Sequence, residues 1–111
     1  MTFGEYIRKL RKEQGKSLRQ VAKQVGTTHA YIAQLESGKF PPPTDPVVLA
    51  LAEELGEDPD ILMVIAGRLP DGLVAIIQEH PLEFKQILQR LKGSSKEKLD
   101  RVAREIRDGK W

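Results

Sequence analysis

The sequence predicts an all-α protein, and three observations support that prediction. Apolar residues recur at spacings of three and four along most of the 111-residue chain, which is the period of one face of an α-helix. Glycines and prolines stand mainly between these periodic stretches, next to Ser, Thr and Asp residues that favour helix starts. No segment alternates apolar and polar residues in the manner of a half-buried strand.

The first helix is predicted over residues 2–14, with Gly15 as its stop. Its inward face consists of Phe3, Tyr6, Ile7 and Leu10. A second helix begins after Ser17, because Ser17 and Gln20 have the spacing of a capping box. The apolar face of this helix consists of Leu18, Val21, Ala22 and Val25.

A glycine turn joins the second helix to a third. Gly26 adopts a left-handed backbone conformation at little cost, so it ends the second helix and redirects the chain. Thr27 or Thr28 then caps the third helix, which Gly38 stops. Its inward residues are Ile32 and Leu35, and its outward residues are His29, Ala30, Ala33 and Gln34.

The prolines of the segment Phe40–Pro43 exclude a helix and predict an extended connector. Thr44 or Asp45 caps a fourth helix, which begins near Pro46 and ends at Gly56. The buried face of this helix is predicted to be Val48, Leu51, Ala52 and Leu55.

A fifth helix over residues 59–66 opens with the cap and first-turn pair Asp58–Pro59. Beyond Gly67, helical spacing continues in two to three further helices, and Ser94–Glu97 has the spacing of a second capping box that opens the last one. Their apolar faces are Leu73, Ile76 and Ile77 before His80–Pro81, then Phe84, Ile87, Leu88 and Leu91 before Gly93, then Leu99, Val102, Ala103 and Ile106. We therefore predict an N-terminal domain over residues 1–67 and a C-terminal helical extension over residues 68–111.

Composition excludes several classes of protein. Without cysteine the chain forms neither a disulfide scaffold nor a thiolate zinc site. The longest apolar run, residues 61–66, is far too short to cross a membrane, and no apolar signal segment opens the chain. We expect a cytoplasmic protein with no membrane partner. No catalytic constellation, phosphate loop or metal-ligand cluster is visible, so the sequence predicts no enzyme, cofactor or metal.

Charge is segregated along the chain. The residues before Asp45 include eight basic and three acidic side chains, whereas Asp45–Gly67 holds six acids and no base. The remainder carries ten bases and seven acids, and the net charge is +2. A basic N-terminal face fits a polyanion such as nucleic acid, and the acidic block is expected to point away from it.

The second and third helices resemble the helix-turn-helix motif of phage repressors, Cro and their bacterial relatives. The matching residues, within roughly residues 3–66, are Ala22, Gly26, Thr28, Ile32, Gln34, Leu35, Glu36, Gly38 and Lys39, with Arg11 in the helix upstream. The resemblance implies a five-helix, lambda-repressor-like globule that binds double-stranded DNA. In the family, the residues that match Arg11 and Glu36 form an ion pair, which implies a structural role for both here.

Recognition helices of this class contact bases mainly through their N-terminal residues. The predicted base-reading residues are therefore Thr28, His29, Ala30, Ala33 and Gln34. Gln34 has the groups for bidentate pairing with adenine, and Ala30 can touch a thymine methyl. His29 can donate to a guanine or reach a phosphate.

The predicted phosphate contacts flank this helix and are Ser17, Arg19, Lys23, Tyr31 and Lys39. Arg19 and Lys23 lie four residues apart on one helix face. Tyr31 has two interpretations, a hydroxyl that reaches a phosphate or a ring that packs against the second helix. The family often has a phosphate-binding glutamine where Leu18 stands, which leaves the anchoring to Ser17 and the two basic residues.

These features favour a sequence-specific regulator of transcription, a dimeric repressor that places two reading helices about 34 Å apart on a palindromic operator. The extension either forms the dimer or packs back onto its own globule. Its candidate dimer residues are Leu73, Ile76, Ile77, Phe84, Ile87, Leu88, Leu91, Leu99, Val102 and Ile106. The second hypothesis is an antitoxin or partner-binding module that autoregulates its operon, with a toxin or a regulatory peptidase as protein partner. The third is a non-specific nucleoid-associated protein.

Overall fold

The computed structural model describes residues 1–109 and contains eight α-helices and no strand within that range. The helices are α1 (Phe3–Glu13), α2 (Leu18–Val25), α3 (His29–Glu36), α4 (Asp45–Leu55), α5 (Pro59–Ile65), α6 (Asp71–Glu79), α7 (Pro81–Leu91) and α8 (Lys96–Arg107). The predicted all-α fold class is confirmed. Lys110 and Trp111, the last two residues of the predicted extension, lie outside the described residues.

The chain divides into two compact units, and the first, Met1–Asp71, contains α1 to α5. These helices share one core, in which α1 packs against α3 and α4, α2 against α3 and α4, and α4 against α5. The core residues are Phe3, Ile7, Val21, Ala22, Ile32, Leu35, Val48, Leu51, Ala52, Leu55, Leu62 and Met63. The apolar faces predicted for the first four helices lie in this core or pack against it. This unit is the predicted five-helix globule.

Local chemistry fixes the helix ends around the glycine turn. The hydroxyl of Ser17 accepts the backbone N–H of Gln20, and the Gln20 side chain accepts the N–H of Ser17, so the capping box is present. Gly26, with φ of 85°, ends α2 in the left-handed region. Thr28 rather than Thr27 caps α3.

The capping box predicted for Ser94 and Glu97 at the start of α8 is wrong. The N-cap is Ser95, whose hydroxyl accepts the backbone N–H of Lys98. Ser94 instead donates its N–H to the Leu91 carbonyl and belongs to the turn that ends α7. Because lysine has no acceptor, the reciprocal bond of a capping box cannot form here.

The second unit, from Gly72 onward, carries the rest of α6 and the helices α7 and α8. None of the residues in these three helices is buried. Their exposed large apolar side chains are Leu73, Ile76, Leu82, Ile87, Leu88, Leu99 and Ile106. Among the described residues, no helix combines the length and the apolar character that a bilayer crossing requires.

Candidate nucleic-acid interface

The helix α3 is held by two other helices, since it packs against both α1 and α2. Its inner face is fully covered, because Ile32 and Leu35 are each 1% exposed and Glu36 is buried as well. The predicted base-reading residues lie outside this face, with Thr28, His29 and Ala30 exposed and Ala33 and Gln34 partly exposed. The helix therefore turns small, polar and largely uncharged side chains outward from a rigid support.

Thr28 caps the helix and lies at its exposed end. Its hydroxyl oxygen accepts the backbone N–H of Tyr31 at 3.1 Å, which satisfies one of the orphan donors of the first turn. A hydroxyl has one donor and two acceptor positions, so its hydrogen remains available for an external acceptor. Capping and contact with a nucleic acid are therefore compatible at this position.

The C-terminal end of α3 closes in a Schellman motif. Gly38 has φ of 81° and donates its N–H to the Leu35 carbonyl at 3.2 Å. Lys39 donates its N–H to the Gln34 carbonyl at 3.0 Å, which is the second bond of that motif. The chain consequently leaves α3 in a fixed direction, with the Lys39 side chain exposed beside the helix end.

Helix α1 approaches the last turn of α3 at Gly4, where backbone meets backbone. A Cβ atom at Gly4 would lie 2.8 Å from the carbonyl oxygen of Glu36 and closer still to that of Leu35. Real Cβ atoms do not approach backbone this closely, so only glycine fits here. Gly4 thus permits the close crossing of α1 over the end of α3.

The structure also brings Arg11 of α1 and Glu36 of α3 together. Arg11 Nε and Nη2 donate to the two carboxylate oxygens of Glu36 at 2.7 and 2.9 Å, and the side chains are only 12% and 7% exposed. Arg11 Nη1 donates to the Lys16 carbonyl at 3.0 Å. The hydrogen bond to Glu36 raises the pKa of Arg11 above its ordinary value, despite burial, which lowers it. The guanidinium therefore ties the end of α3 to α1 and to the loop before α2.

The residues predicted to contact phosphates are exposed or partly exposed and lie around α3. Ser17, Arg19 and Lys23 are exposed along α2, and Tyr31 is partly exposed. Neither Arg19 nor Lys23 takes part in an ion pair within residues 1–109. Both cations are therefore free to neutralise phosphates.

Two acids of the acidic block are bound inside the first unit. Lys16 Nζ lies 2.9 Å from Glu54 Oε1 and donates to the Glu54 carbonyl at 2.6 Å. The Tyr6 hydroxyl donates to the Glu57 carboxylate, and this hydrogen bond is the main cause of a raised pKa of Tyr6. These contacts join α1 and the loop after it to the end of α4. The two acids therefore help to hold together the helices that support the helix-turn-helix motif.

The close approach at Gly4 and the contacts of Lys16 and Tyr6 were not predicted from the sequence. For Gly4 a signal was present, because an isolated glycine within a helical pattern costs helix stability and therefore suggests a packing role. No comparable signal marks Lys16 or Tyr6. Their acidic partners lie 38 and 51 residues further along the chain, and such pairings depend on tertiary packing.

Comparisons with known proteins agree with this geometry. A family model described as a helix-turn-helix domain matches residues 4–68, which is more than half of the chain. No curated protein matches the sequence. Among solved structures, a chain of the SinR protein/SinI protein complex is similar, with a TM-score of 0.55 and 19% identity over 98% of each chain. At this identity the likeness establishes a shared fold.

A five-helix globule that holds an outward-facing α3 after a glycine turn defines the helix-turn-helix class of proteins. The chain belongs to the helix-turn-helix domain family, of the type found in phage repressors, Cro and their bacterial relatives. Family and fold together support a role as a DNA-binding transcription regulator.

Proposed function

We propose that the protein is a sequence-specific, double-stranded DNA-binding repressor that acts as a dimer on a palindromic operator. The observation that carries this proposal is the outer surface of α3, which is uncharged, exposed at its N-terminal end, and supported by α1 and α2. A surface of this kind fits the major groove, whose floor is read by hydrogen bonds and by apolar contacts to thymine methyls.

The base-reading role falls to Thr28, His29, Ala30, Ala33 and Gln34. Gln34 pairs with an adenine through its amide, and Ala30 contacts a thymine methyl. Ser17, Arg19, Lys23, Tyr31 and Lys39 position the motif by contacting phosphates on either side. Arg11 and Glu36 act through structure, because their bidentate pair holds the end of α3.

The second unit supplies the dimer contacts. Its three helices have no buried residue of their own, and large apolar side chains remain exposed along all of them. Exposed apolar helix faces of this extent are typical of interaction surfaces. The proposed interface consists of Leu73, Ile76, Ile77, Phe84, Ile87, Leu88, Leu91, Leu99, Val102 and Ile106.

Selection of bound fragments from a random-sequence duplex pool tests the main proposal. We expect recovery of a palindromic site that the protein prefers over random duplex by at least about a thousandfold. Equal affinity for all duplexes would instead identify a non-specific nucleoid-associated protein. Absence of duplex binding would reject both.

A second candidate function is an antitoxin or partner-binding module that autoregulates its operon. The likeness to a structure of a two-protein complex favours it, as does the unpartnered apolar surface of the second unit. Its expected signature is a stoichiometric second protein that co-purifies with the chain from its native cells. Purification as a homo-oligomer without such a protein would favour the repressor alone.

A further inference from the structure

The segment that leaves α3 folds back onto the helix through an aromatic pair. The ring centroids of Phe40 and Tyr31 are 5.9 Å apart with an interplanar angle of 63°, an edge-to-face arrangement. The Phe40 N–H also donates to the Gln34 carbonyl at 3.4 Å. Such aromatic pairs contribute beyond simple burial when their edges and faces meet.

The position of Phe40 is fixed from both sides. Before it, the Schellman motif at Gly38 sets the direction in which the chain leaves α3. After it, Arg68 donates to the Pro42 carbonyl at 3.3 Å and to Asp45 Oδ1 at 3.1 Å. The connector therefore has little freedom, and its ring is held against Tyr31.

Two features of the Tyr31–Phe40 pair would not be expected if the two rings served only to pack against each other. Phe40 remains 42% exposed, so its burial against the globule is incomplete. The Tyr31 hydroxyl makes no hydrogen bond to any residue within 1–109, although the backbone N–H of Tyr31 is bonded to Thr28. A partly exposed phenol without an internal partner is available to an acceptor outside the protein.

We propose that Phe40 is a positioning residue that fixes the ring of Tyr31 so that its hydroxyl meets a DNA phosphate. This inference rests on the proposed function as a DNA-binding regulator. Phe40 itself touches no phosphate in this arrangement. It limits the rotation of Tyr31, and a preorganised donor loses less conformational entropy when it binds.

The test measures the affinity of four variants for two probes, the duplex recovered by selection and a duplex of random sequence. Phe40→Leu keeps apolar volume and removes the ring, Phe40→Tyr keeps the ring, and Tyr31→Phe removes only the hydroxyl. The fourth variant combines Phe40→Leu with Tyr31→Phe. Circular dichroism and denaturant unfolding accompany each measurement, so that folding is monitored separately.

We expect Tyr31→Phe to weaken binding by about twofold to tenfold, because it removes one hydrogen bond to a phosphate. Phe40→Leu should cost up to the same factor, because it acts only by releasing that hydroxyl from its fixed position. Both probes should be affected alike, because phosphate contacts carry no sequence information. Phe40→Tyr should bind as the parent does. The double variant should have the same affinity as Tyr31→Phe alone, because Phe40 acts only through the hydroxyl of Tyr31.

Three results would overturn the inference: a Phe40→Leu variant that binds as the parent does, single losses that multiply in the double variant, or a loss confined to the selected duplex. Multiplying losses would mean that Phe40 merely stabilises α3, whatever Tyr31 does. If the parent chain binds neither probe, the proposed function itself fails, and the two failures are thereby distinguished.

Discussion

Gly4 controls how closely α1 approaches α3. Gly4→Ala would place a methyl group against the carbonyl oxygens of Leu35 and Glu36, which are backbone atoms and cannot rotate away. We expect a loss of about 1–3 kcal/mol in the free energy of unfolding, measured by urea denaturation. Gly72→Ala is the matched control, because this glycine is also helical and nothing lies near its added Cβ.

The control should be neutral or slightly stabilising, since alanine favours a helix more than glycine does. Equal losses in the two variants would show that the close approach at Gly4 carries no cost. The crossing of α1 over α3 would then tolerate a side chain.

The Arg11–Glu36 pair is a second point of support for α3. Arg11→Ala leaves the buried carboxylate of Glu36 without its two donors, and we expect a loss of about 3–5 kcal/mol in the free energy of unfolding. Lys9→Ala is the control, because Lys9 and Glu13 form an exposed i,i+4 pair and such pairs contribute roughly 0.3–0.5 kcal/mol. Urea denaturation of both variants provides the measurement, and a similar small loss for both would contradict a structural role for Arg11.

Gln34 is the proposed base contact with the most specific chemistry. Gln34→Ala should cost about 1–3 kcal/mol of binding free energy on the selected duplex and relax the preference at one base position. Gln78→Ala, an exposed glutamine on α6, should leave the base preference unchanged. Repeating the selection with each variant checks both outcomes. A loss for Gln34→Ala that is equal on selected and random duplexes would remove Gln34 from base reading.

Helix ends could be predicted where a single side chain decides them. The Ser17 capping box and the left-handed Gly26 follow from local chemistry, and both are present. At Ser94 and Ser95 two adjacent serines offer the same cap, so the local pattern is ambiguous. The structure resolves this ambiguity, because the Ser94 N–H donates to the Leu91 carbonyl and Ser94 belongs to the turn that ends α7.

Contacts between distant elements could not be predicted in the same way. The hydrogen bonds from Arg68 to Pro42 and Asp45 link the segment after α5 to the connector and the start of α4. The spacing between these residues carries no periodic signal. The outward residues of α3, by contrast, followed from helical period alone, because Ile32 and Leu35 define the buried side.

The basic face of α2 belongs to the phosphate-binding part of the proposal. Replacing both Arg19 and Lys23 by alanine should reduce the slope of log affinity against log salt by about 0.9 for each lost phosphate contact. The measurement is a salt titration of binding to a random duplex. Lys9→Ala is the control, because Lys9 is not one of the proposed phosphate contacts and its charge is paired with Glu13 on α1. An unchanged slope in the double variant would exclude both cations from the footprint.

The two units differ in how they bury apolar surface. The first unit has a core of twelve apolar residues shared by five helices, and it can be expected to fold by itself. The second unit has helices without buried residues in the single chain. The physical requirement to bury apolar faces is therefore met within the first unit and only partly met in the second.

This difference leads to a prediction about oligomeric state. A chain truncated after Asp71 keeps the hydrogen bonds of Arg68 and the whole first unit. It should therefore remain folded but sediment as a monomer, whereas the full chain should sediment as a dimer. Leu88→Asp in the full chain should act like the truncation, because this exposed leucine belongs to the proposed interface. Gln86→Asp adds the same charge on the opposite side of α7 and should leave the dimer intact.

The loss of the dimer should also change DNA binding in a defined way. Two linked reading helices gain affinity on a palindrome because the second contact forms at a high effective concentration. The truncated chain should therefore bind a palindrome and a half-site almost equally, while the full chain prefers the palindrome. Sedimentation of the truncated chain as a dimer would place the interface in the first unit. A full-length monomer would instead require a different partner for the apolar faces of α6 to α8.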